Sequence, residues 1–334
     1  MNKMKVFKVL KKIVVTFFIL ICTLLIVGLI YEKHSRYKSE KIMPNGQLVE
    51  VANHKLHYYK KGENGPTVVF EAAFDPAGHL QWYNLQQEIS KFATTISYDR
   101  SGILWSERGD NPKTGEKIAE ELHSLLEQAN VSKPYILVGH SLGGMLLRSF
   151  VSKYSDEVSG VILVDSQTPN DEEYLSPELY SMVNQGLPAG FLKFANATGV
   201  ARLMFKGMFP DTGDYKYQNT VMPTLIHKSA HGVLEEQEEM NNLKKEANKI
   251  KSFGSIPLSV ISAGDSQRFS SFIKDENLKM EMVNAWEMMQ KDLLKLSTNS
   301  KQIRVPNSGH YINQDQPDVI IGAIKSMISE TKLK

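Results

Sequence analysis

A serine flanked by glycines is the clearest chemical signal in this sequence. Ser141 lies in the segment VGHSLGG, with Gly139 and Gly143 two residues to either side. A serine hydroxyl can act as a nucleophile when a sharp strand-to-helix turn lifts it above a sheet, and such a turn needs small neighbours because larger side chains would collide across it. The run YILVG before Ser141 predicts the strand, and LGGMLLRSFVSKY after it predicts the helix. The pattern therefore indicates a reactive serine.

The segments around this serine alternate between strand and helix patterns. LVEVANHKLHYYKKG predicts a hairpin that turns at Asn53-His54, and TVVFEA, from residue 67, predicts a buried strand. Further strands are predicted over 95–98, 135–139, 161–164, 258–263 and 302–305, and helices over 81–92, 116–128, 142–154 and 318–329. Strands that alternate with helices predict a doubly wound, mostly parallel α/β sheet.

The alternation lapses between Asp165 and Ser255, which is too long a stretch for a structureless loop in a compact domain. We therefore predict a helical cap over residues 166–255, inserted into a sheet domain formed by residues 47–165 and 256–334. The cap contains LKFANATGVARLMFKGMF, which is rich in Met and Phe. Such side chains could form the core of the cap or line an adaptable acyl pocket.

The N-terminal region has the composition of a membrane anchor. The run IVVTFFILICTLLIVGLI, from residue 13 to 30, carries no charge and is close to the minimum length that crosses a bilayer as a helix. We predict one transmembrane helix over 13–31, preceded by a basic cytoplasmic segment over 1–12 and followed by a tether over 32–46. The lysines of the basic segment would keep the N-terminus in the cytoplasm, with the main domain on the outer face. A cleaved signal peptide, which would give a secreted protein, is the alternative.

Composition excludes several classes of protein. With 42% hydrophobic and 23% charged residues the chain is an ordinary globular protein rather than a disordered or fibrous one. The net charge of +2 provides no field for nucleic-acid binding. The single cysteine, Cys22, allows no intrachain disulfide. We expect no cofactor and no metal, and the sequence does not specify an oligomeric state.

Three segments of the chain resemble successive landmarks of the α/β-hydrolase superfamily. They are ISYDRSGILWSE, PYILVGHSLGGMLLRSFVSKYSDEVSGVILVDS and VPNSGHYINQDQPDVI. The resemblance covers residues 49–329 apart from the cap. It implies an esterase- or lipase-like serine hydrolase, with an acid at the end of a late strand and a histidine after the last strand.

This resemblance implies roles for individual residues. His310 follows the last predicted strand and matches the catalytic histidine of the family, which would accept the proton of Ser141. Asp265, just beyond the strand over 258–263, matches the acid. Asp165, at the end of the strand over 161–164, is the alternative acid, because some relatives take the acid from that position. Either carboxylate would hold the imidazole tautomer and stabilise the imidazolium.

The oxyanion hole is expected to use two backbone N–H groups, those of Leu142 and Phe74. At the second position the sequence departs from the family pattern, because Ala72-Ala73 stands where a His-Gly or Ala-Gly pair is typical. If the missing glycine had a positive φ, Ala73 would be strained.

A serine, a histidine and an aspartate in this order imply acyl transfer to Ser141 followed by hydrolysis. The leading substrate is a carboxylic ester, and the anchor and the Met-rich cap favour a hydrophobic or lipid-like one. Thioester, amide, perhydrolase and carbon–carbon bond chemistry stay open because they use the same triad. The alternative from another class is a non-catalytic binding module of the same fold. Epoxide hydrolases and haloalkane dehalogenases share the fold but use aspartate at the position of Ser141.

Overall fold

The computed structural model describes residues 3–265 and 270–332 of the 334-residue chain. The strands are β1 Gln47–Val51, β2 His54–Lys61, β3 Thr67–Glu71, β4 Thr94–Tyr98, β5 Tyr135–His140, β6 Val158–Val164, β7 Leu258–Ala263 and β8 Ser300–Val305. The helices are α1 Lys3–Ser39, α2 Tyr83–Ile89, α3 Gly115–Gln128, α4 Leu142–Lys153, α5 Pro177–Asn184, α6 Ala189–Thr198, α7 Val200–Met204, α8 Lys216–Lys249, α9 Glu276–Leu293, α10 Ile312–Asp315 and α11 Pro317–Lys332.

All eight strands form one sheet, in the order β1-β2-β4-β3-β5-β6-β7-β8. From β4 to β8 neighbouring strands are parallel, whereas β1 pairs antiparallel with β2, and β2 antiparallel with β4. The β1–β2 hairpin turns at Ala52 and Asn53, one residue before the predicted Asn53-His54. The predicted doubly wound, mostly parallel α/β sheet is thereby confirmed.

The central strands are buried on both faces, which explains their unbroken apolar sequences. Leu137 of β5 faces a core cluster shared with α3 and α4, while Ile136 and Val138 face a second cluster shared with α2 and α11. This alternation follows from the two-residue period of a strand. Packing on both faces holds β5 in place. Because Ser141 directly follows β5, its position is fixed as well.

The segment between β6 and β7 folds into helices α5 to α8, where the helical cap was predicted. The longest of them, α8, spans 34 residues. A further helix, α9, lies between β7 and β8 and is not among the predicted elements. Its buried residues Met282, Trp286 and Met289 pack with Leu175 and Leu179 of the cap, so α9 and the cap share a core.

The N-terminal helix differs from the predicted anchor and tether. Its stretch Phe7–Ser39 is long and apolar enough to cross a membrane, with a mean hydropathy of 3.1 over its most apolar part. The helix then continues to Ser39 instead of ending near residue 31. It continues because Glu32 and Ser39 are buried against the cap, where Glu32 forms an ion pair with Arg202.

Candidate active site

Ser141 occupies the sharp turn that was predicted between β5 and α4. Its backbone lies in the left-handed region, at φ 51° and ψ −119°, which a non-glycine residue rarely adopts. Two hydrogen bonds hold this conformation: the Ser141 N–H donates to Val164 O at 3.1 Å, and the Gln167 N–H donates to Ser141 O at 3.0 Å. Val164 is the last residue of β6, and Gln167 follows that strand by three residues. The strand next to β5 therefore maintains the strained turn.

The glycines around Ser141 are required by close backbone contacts. A Cβ atom on Gly139 would lie 2.7 Å from Gly144 Cα, and a Cβ atom on Gly143 would lie 2.4 Å from Glu71 O. The first contact closes the turn across its own base. The second brings the first turn of α4 against the end of β3, so the loop that follows β3 lies beside the N-terminus of α4.

His310 pairs with an aspartate at the end of the strand next to Ser141. His310 Nδ1 lies 2.7 Å from Asp165 Oδ2. Asp165 is fully buried, and its other oxygen accepts hydrogen bonds from Trp286 Nε1 at 3.0 Å and from the Ala263 N–H at 2.9 Å. These donors fix the carboxylate, and the carboxylate in turn directs the imidazole.

The structure places Asp165, and not the preferred Asp265, against the imidazole of His310. Asp265 also lies near the histidine loop, because its N–H donates to Ser308 O at 3.0 Å. The carboxylate against the His310 ring is nevertheless Asp165, the alternative acid. The physical reason lies in the donors to the other Asp165 oxygen, which include the Ala263 N–H at the end of β7. The indole of Trp286, on a helix that the sequence analysis did not predict, then holds Asp165 in place.

Ser141 and His310 line one cavity of about 250 Å³ between the sheet, the cap and α9. Its wall is mostly apolar, formed by Leu175, Val183, Phe272, Met282, Trp286 and Met289. Three polar residues, Gln167, Asp171 and Asn184, complete it. The Met- and Phe-rich segment over 192–209 does not line this cavity, so the apolar wall comes from α5 and α9 instead.

A buried arginine organises the loop after β3. Arg100 Nη1 donates to Ala72 O, and Arg100 Nη2 donates to Ala73 O, each at 2.8 Å. The same guanidinium pairs with Glu71 at 2.7 Å and with Glu236 of α8 at 2.7 Å. In a trans peptide the C=O and the following N–H point in opposite directions. Because Ala73 O points toward Arg100, the N–H of Phe74 points away from it.

Ala73, in place of the glycine of the family pattern, is not strained. Among the described residues, the non-glycine positions with positive φ are Ala52, Leu104, Asn130, Ser141 and Asp165. Ala73 instead donates its N–H to Gln81 Oε1 at 2.9 Å, inside a buried environment. The expected conflict therefore does not arise, and the alanine is accommodated by ordinary backbone geometry.

Gln81 connects this loop to the histidine loop. Its Nε2 group donates to His140 Nδ1, and His140 Nε2 donates to His310 O at 2.9 Å. Burial, reinforced by His310, lowers the pKa of His140 well below its ordinary value, so the ring is neutral. Gln81 and His140 were missed by the sequence analysis because nothing in the sequence separates them from other buried polar residues.

A second carboxyl group lies next to the Phe74 position. Asp75 is buried, and burial raises its pKa to about 6, although the Ala77 N–H and Arg100 oppose that shift. Its Oδ1 accepts from the Ala77 N–H at 2.7 Å, whereas Oδ2 has no hydrogen-bond partner among the described residues. The charged form of Asp75 is therefore poorly solvated.

The described residues contain one fully buried group that could be considered for a metal, formed by His57, His79 and Asp99. Both histidines place Nδ1 against Asp99, at 2.9 and 2.8 Å. Burial alone would raise the pKa of Asp99, but the two histidines outweigh it and lower that pKa. The distances are those of hydrogen bonds, and the cluster fastens β2 and the segment before α2 to the end of β4.

The sequence of this chain matches one family and several individual proteins. Residues 66–212 match the family model described as alpha/beta hydrolase fold. The uncharacterized protein YqjL of Bacillus subtilis (strain 168) is 25% identical over 270 residues, which cover 80% of this chain and 85% of YqjL.

Solved structures agree with this match. A thermophilic esterase from Thermogutta terrifontis superposes with a TM-score of 0.57 at 18% identity, over 86% of this chain and 99% of the esterase. A mutant epoxide hydrolase of Vigna radiata superposes with a TM-score of 0.63 at 19% identity, over 87% of this chain and 99% of that chain. At these identities the likeness establishes the fold and leaves the reaction to be argued from the site.

Proposed function

We propose, from the premise that the chain has the α/β-hydrolase fold, that it is a membrane-anchored serine hydrolase that cleaves carboxylic esters through an acyl-enzyme on Ser141. The observation that carries this proposal is the arrangement of three side chains. A serine on a strained turn shares a cavity with His310, whose far ring nitrogen is paired with the buried Asp165 at 2.7 Å. A nucleophile, a base and a group that orients the base are the three parts that acyl transfer requires.

In the first half-reaction His310 Nε2 accepts the proton of the Ser141 hydroxyl as its oxygen attacks the acyl carbon. Asp165 keeps the remaining ring proton on Nδ1 and stabilises the imidazolium as it forms. The charge that develops on the carbonyl oxygen would be stabilised by the N–H groups of Leu142 and Phe74. The carbonyl directions imposed by Arg100 support the assignment of Phe74. The proton on His310 then passes to the departing alcohol.

In the second half-reaction water replaces the alcohol. His310 takes a proton from that water, which attacks the acyl-enzyme, and the carboxylic acid leaves with Ser141 restored. Every proton in this cycle passes through one ring nitrogen. The cycle therefore depends on the Nδ1 tautomer that Asp165 maintains.

The lining of the cavity supports a hydrophobic acyl group. Six of its eleven lining residues are apolar, and three of these, Met282, Trp286 and Met289, come from the single helix α9. Methionine side chains are flexible and adapt to irregular apolar ligands. The charged residue Asp171 is already paired with Lys244 at 2.6 Å, so its carboxylate is not free to bind a charged acyl chain.

The apolar run of α1 supports anchoring in a membrane, because 18 uncharged residues at about 1.5 Å per residue span about 27 Å, close to the hydrocarbon thickness of a bilayer. The lysines before it favour a cytoplasmic N-terminus, with the catalytic domain on the outer face.

The test is hydrolysis of p-nitrophenyl esters of increasing acyl length by the full chain in detergent. We expect Ser141→Ala to abolish turnover, and kcat/KM of the native chain to rise with chain length before it declines. A steady fall in kcat/KM from acetate onward would refute the preference for a hydrophobic acyl group.

A matched pair of variants on α9 locates the acyl pocket. Met282 is buried and lines the cavity, whereas Met280 on the same helix is 48% exposed and does not. Met282→Trp should shift the preference to shorter esters, because the indole fills the cavity, and Met280→Trp should leave it unchanged. Equal chain-length profiles for the two variants would place the acyl group elsewhere.

A further inference from the structure

The cap carries large apolar side chains in water-accessible positions. Four of them lie on α6 and α7, where Phe191 is 41% exposed, Phe194 46%, Leu203 68% and Met204 45%. We name these four residues the cap apolar face. Phe70 and Phe150 of the sheet domain, by contrast, are each only 1% exposed. A concentration of exposed apolar side chains on a folded domain indicates a surface that contacts something other than water.

This face lies beside the anchor helix. A Cβ atom on Gly28 of α1 would lie 2.7 Å from Thr198 O, so the C-terminal end of α6 touches α1 at that residue. One helical turn before Thr198 comes Phe194, whose carbonyl accepts the Thr198 hydroxyl hydrogen bond at 2.9 Å. Further along α1, Arg36 Nη2 donates to Asn196 O at 2.8 Å. Helix α6 is therefore in contact with α1 over about two turns.

A buried ion pair makes the arrangement rigid. Arg202 of α7 donates to both oxygens of Glu32, at 2.5 and 3.0 Å, and both side chains are about 5% exposed or less. Arg202 also donates to Pro223 O of α8 at 2.8 Å. Because either charge alone would be costly to bury, α1 and the cap hold a fixed relative position.

The contact sets the height of the cap relative to the apolar run of α1. That run ends at Ile30, two residues after Gly28, or about 3 Å along the helix axis. The end of α6 is thus level with the last turn of the segment that would cross the bilayer. Leu203 and Met204 follow Thr198 on α7, the helix whose Arg202 pairs with Glu32, two residues beyond that run.

We propose that the cap apolar face inserts into the interfacial layer of the bilayer that α1 crosses, so that the domain lies on the lipid surface instead of standing clear of it. This inference rests on the anchoring of α1 that forms part of the proposed function. Two exposed lysines support a lipid partner, because Lys193 and Lys206 lie on the same helices or directly beyond them. An apolar surface bordered by cations is typical of segments that bind at a membrane interface.

Exposed apolar side chains also precede α6 in the chain. Leu187, 45% exposed, and Met182, 41% exposed, lie between α6 and the middle of α5. Val183 of α5 lines the cavity that contains Ser141.

The experiment measures the depth of single residues in vesicles. Cys22 is the only cysteine of the chain, so Cys22→Ser provides a cysteine-free background. Cysteine is then introduced at Leu203 on the face, at Leu48 on the distant edge strand β1, and at Leu20 within the anchor, all of which are exposed leucines. Each full-length variant is labelled with the fluorophore NBD and reconstituted into phosphatidylcholine–phosphatidylglycerol vesicles. Some vesicles carry lipids with a doxyl quencher near the head of the acyl chain.

We expect the doxyl lipid to quench the label at position 203 at least about twofold more than the label at position 48, and to quench the label at position 20 as well. Quenching at 20 without quenching at 203 would overturn the inference and leave the anchor in place. A blue-shifted emission at 203 that the doxyl lipid does not quench would place the face against protein, such as a second copy of the chain, and would also overturn it.

Ester hydrolysis in the same vesicles separates this inference from the proposed chemistry. Quenching at 203 without turnover would sustain the inference and count against the proposed reaction. Turnover without quenching at 203 would support the proposed reaction and overturn the inference. Loss of quenching at both 20 and 203 would refute the anchor and the inference together.

Discussion

The loop around Ser141 and the outer side of the cap break the usual distribution of polar and apolar groups in opposite ways. Around the site, charged side chains such as Arg100, Asp165 and Glu71 are almost fully buried. On the cap, Phe194 and Leu203 are about half exposed or more. Soluble domains normally bury apolar groups and expose charged ones. Each of these two exceptions therefore indicates a region whose residues serve a purpose other than stability.

The two departures differ in how they are stabilised. The buried charges of Arg100, Glu71 and Asp165 are held by partners within the protein, and removing one partner leaves the other unpaired in a place that water does not reach. The apolar side chains of the cap are exposed to solvent, so their environment has to be supplied from outside. Single substitutions in the site should therefore lower activity or stability. Single substitutions in the cap apolar face should leave the stability of the fold unchanged and alter contact with the membrane.

The largest effect on activity is expected from substitution of the proposed acid, Asp165. Asp165→Asn should lower kcat by about 10⁴-fold, because the amide removes the group that holds the His310 tautomer. Asp265→Asn serves as the matched control and should change kcat by a few-fold at most. Steady-state kinetics with one ester substrate measure both variants. The reverse ranking of the two would contradict the assignment of Asp165.

The acid also shows how far the sequence could predict the site. The turn at Ser141 and the position of His310 could be recognised because each follows a strand in an interpretable local pattern. The choice between Asp165 and Asp265 could not, because it depends on donors from distant segments, such as the indole N–H of Trp286 on α9. Spatial neighbours of that kind leave no local periodicity in the sequence.

The same distinction holds for the fold. Alternating apolar segments predicted the sheet and the cap, since each segment buries its own face. The extension of α1 to Ser39 could not be predicted, because Glu32, Arg36 and Ser39 are polar and, besides their contacts within the helix, depend on distant partners such as Arg202, 170 residues from Glu32. The same tertiary contacts that the sequence does not reveal are the ones that connect the anchor to the cap.

The second effect concerns stability. Arg100→Met should lower the free energy of unfolding by about 3–5 kcal/mol, because Glu71 and Glu236 would remain buried without their cation. Arg108→Met is the control: Arg108 pairs with Glu235 in a largely exposed position, where an ion pair contributes about 1 kcal/mol or less. Chemical denaturation of both variants in detergent gives the comparison. Equal losses would show that burial of the Arg100 network does not matter.

The smallest effect is a pH dependence at Asp75. Its pKa in the folded protein is about 6 against an ordinary 3.8, so the protonated carboxyl favours folding below about pH 4, and this contribution is lost as the pH rises through 6. Asp75→Asn cannot ionise. The variant should match the native chain near pH 4 and be more stable by up to about 3 kcal/mol above pH 7.

The control for this pH dependence is the exposed Asp156, whose replacement by Asn should leave the pH profile of unfolding unchanged. Denaturation midpoints measured across pH 4 to 8 test both variants. A stability gain for Asp75→Asn that is the same at every pH would contradict the interpretation, because it would have to arise from packing instead of ionisation.

The central claim is that Ser141 is an activated nucleophile, and covalent labelling tests it most directly. A fluorophosphonate probe is incubated with the full-length protein in vesicles, and the modified peptide is identified by mass spectrometry. The account predicts one adduct, on Ser141, that is absent from Ser141→Ala and forms far more slowly in His310→Ala. Folded protein that acquires no adduct, or acquires one on a different serine, would contradict it and favour a non-catalytic binding module.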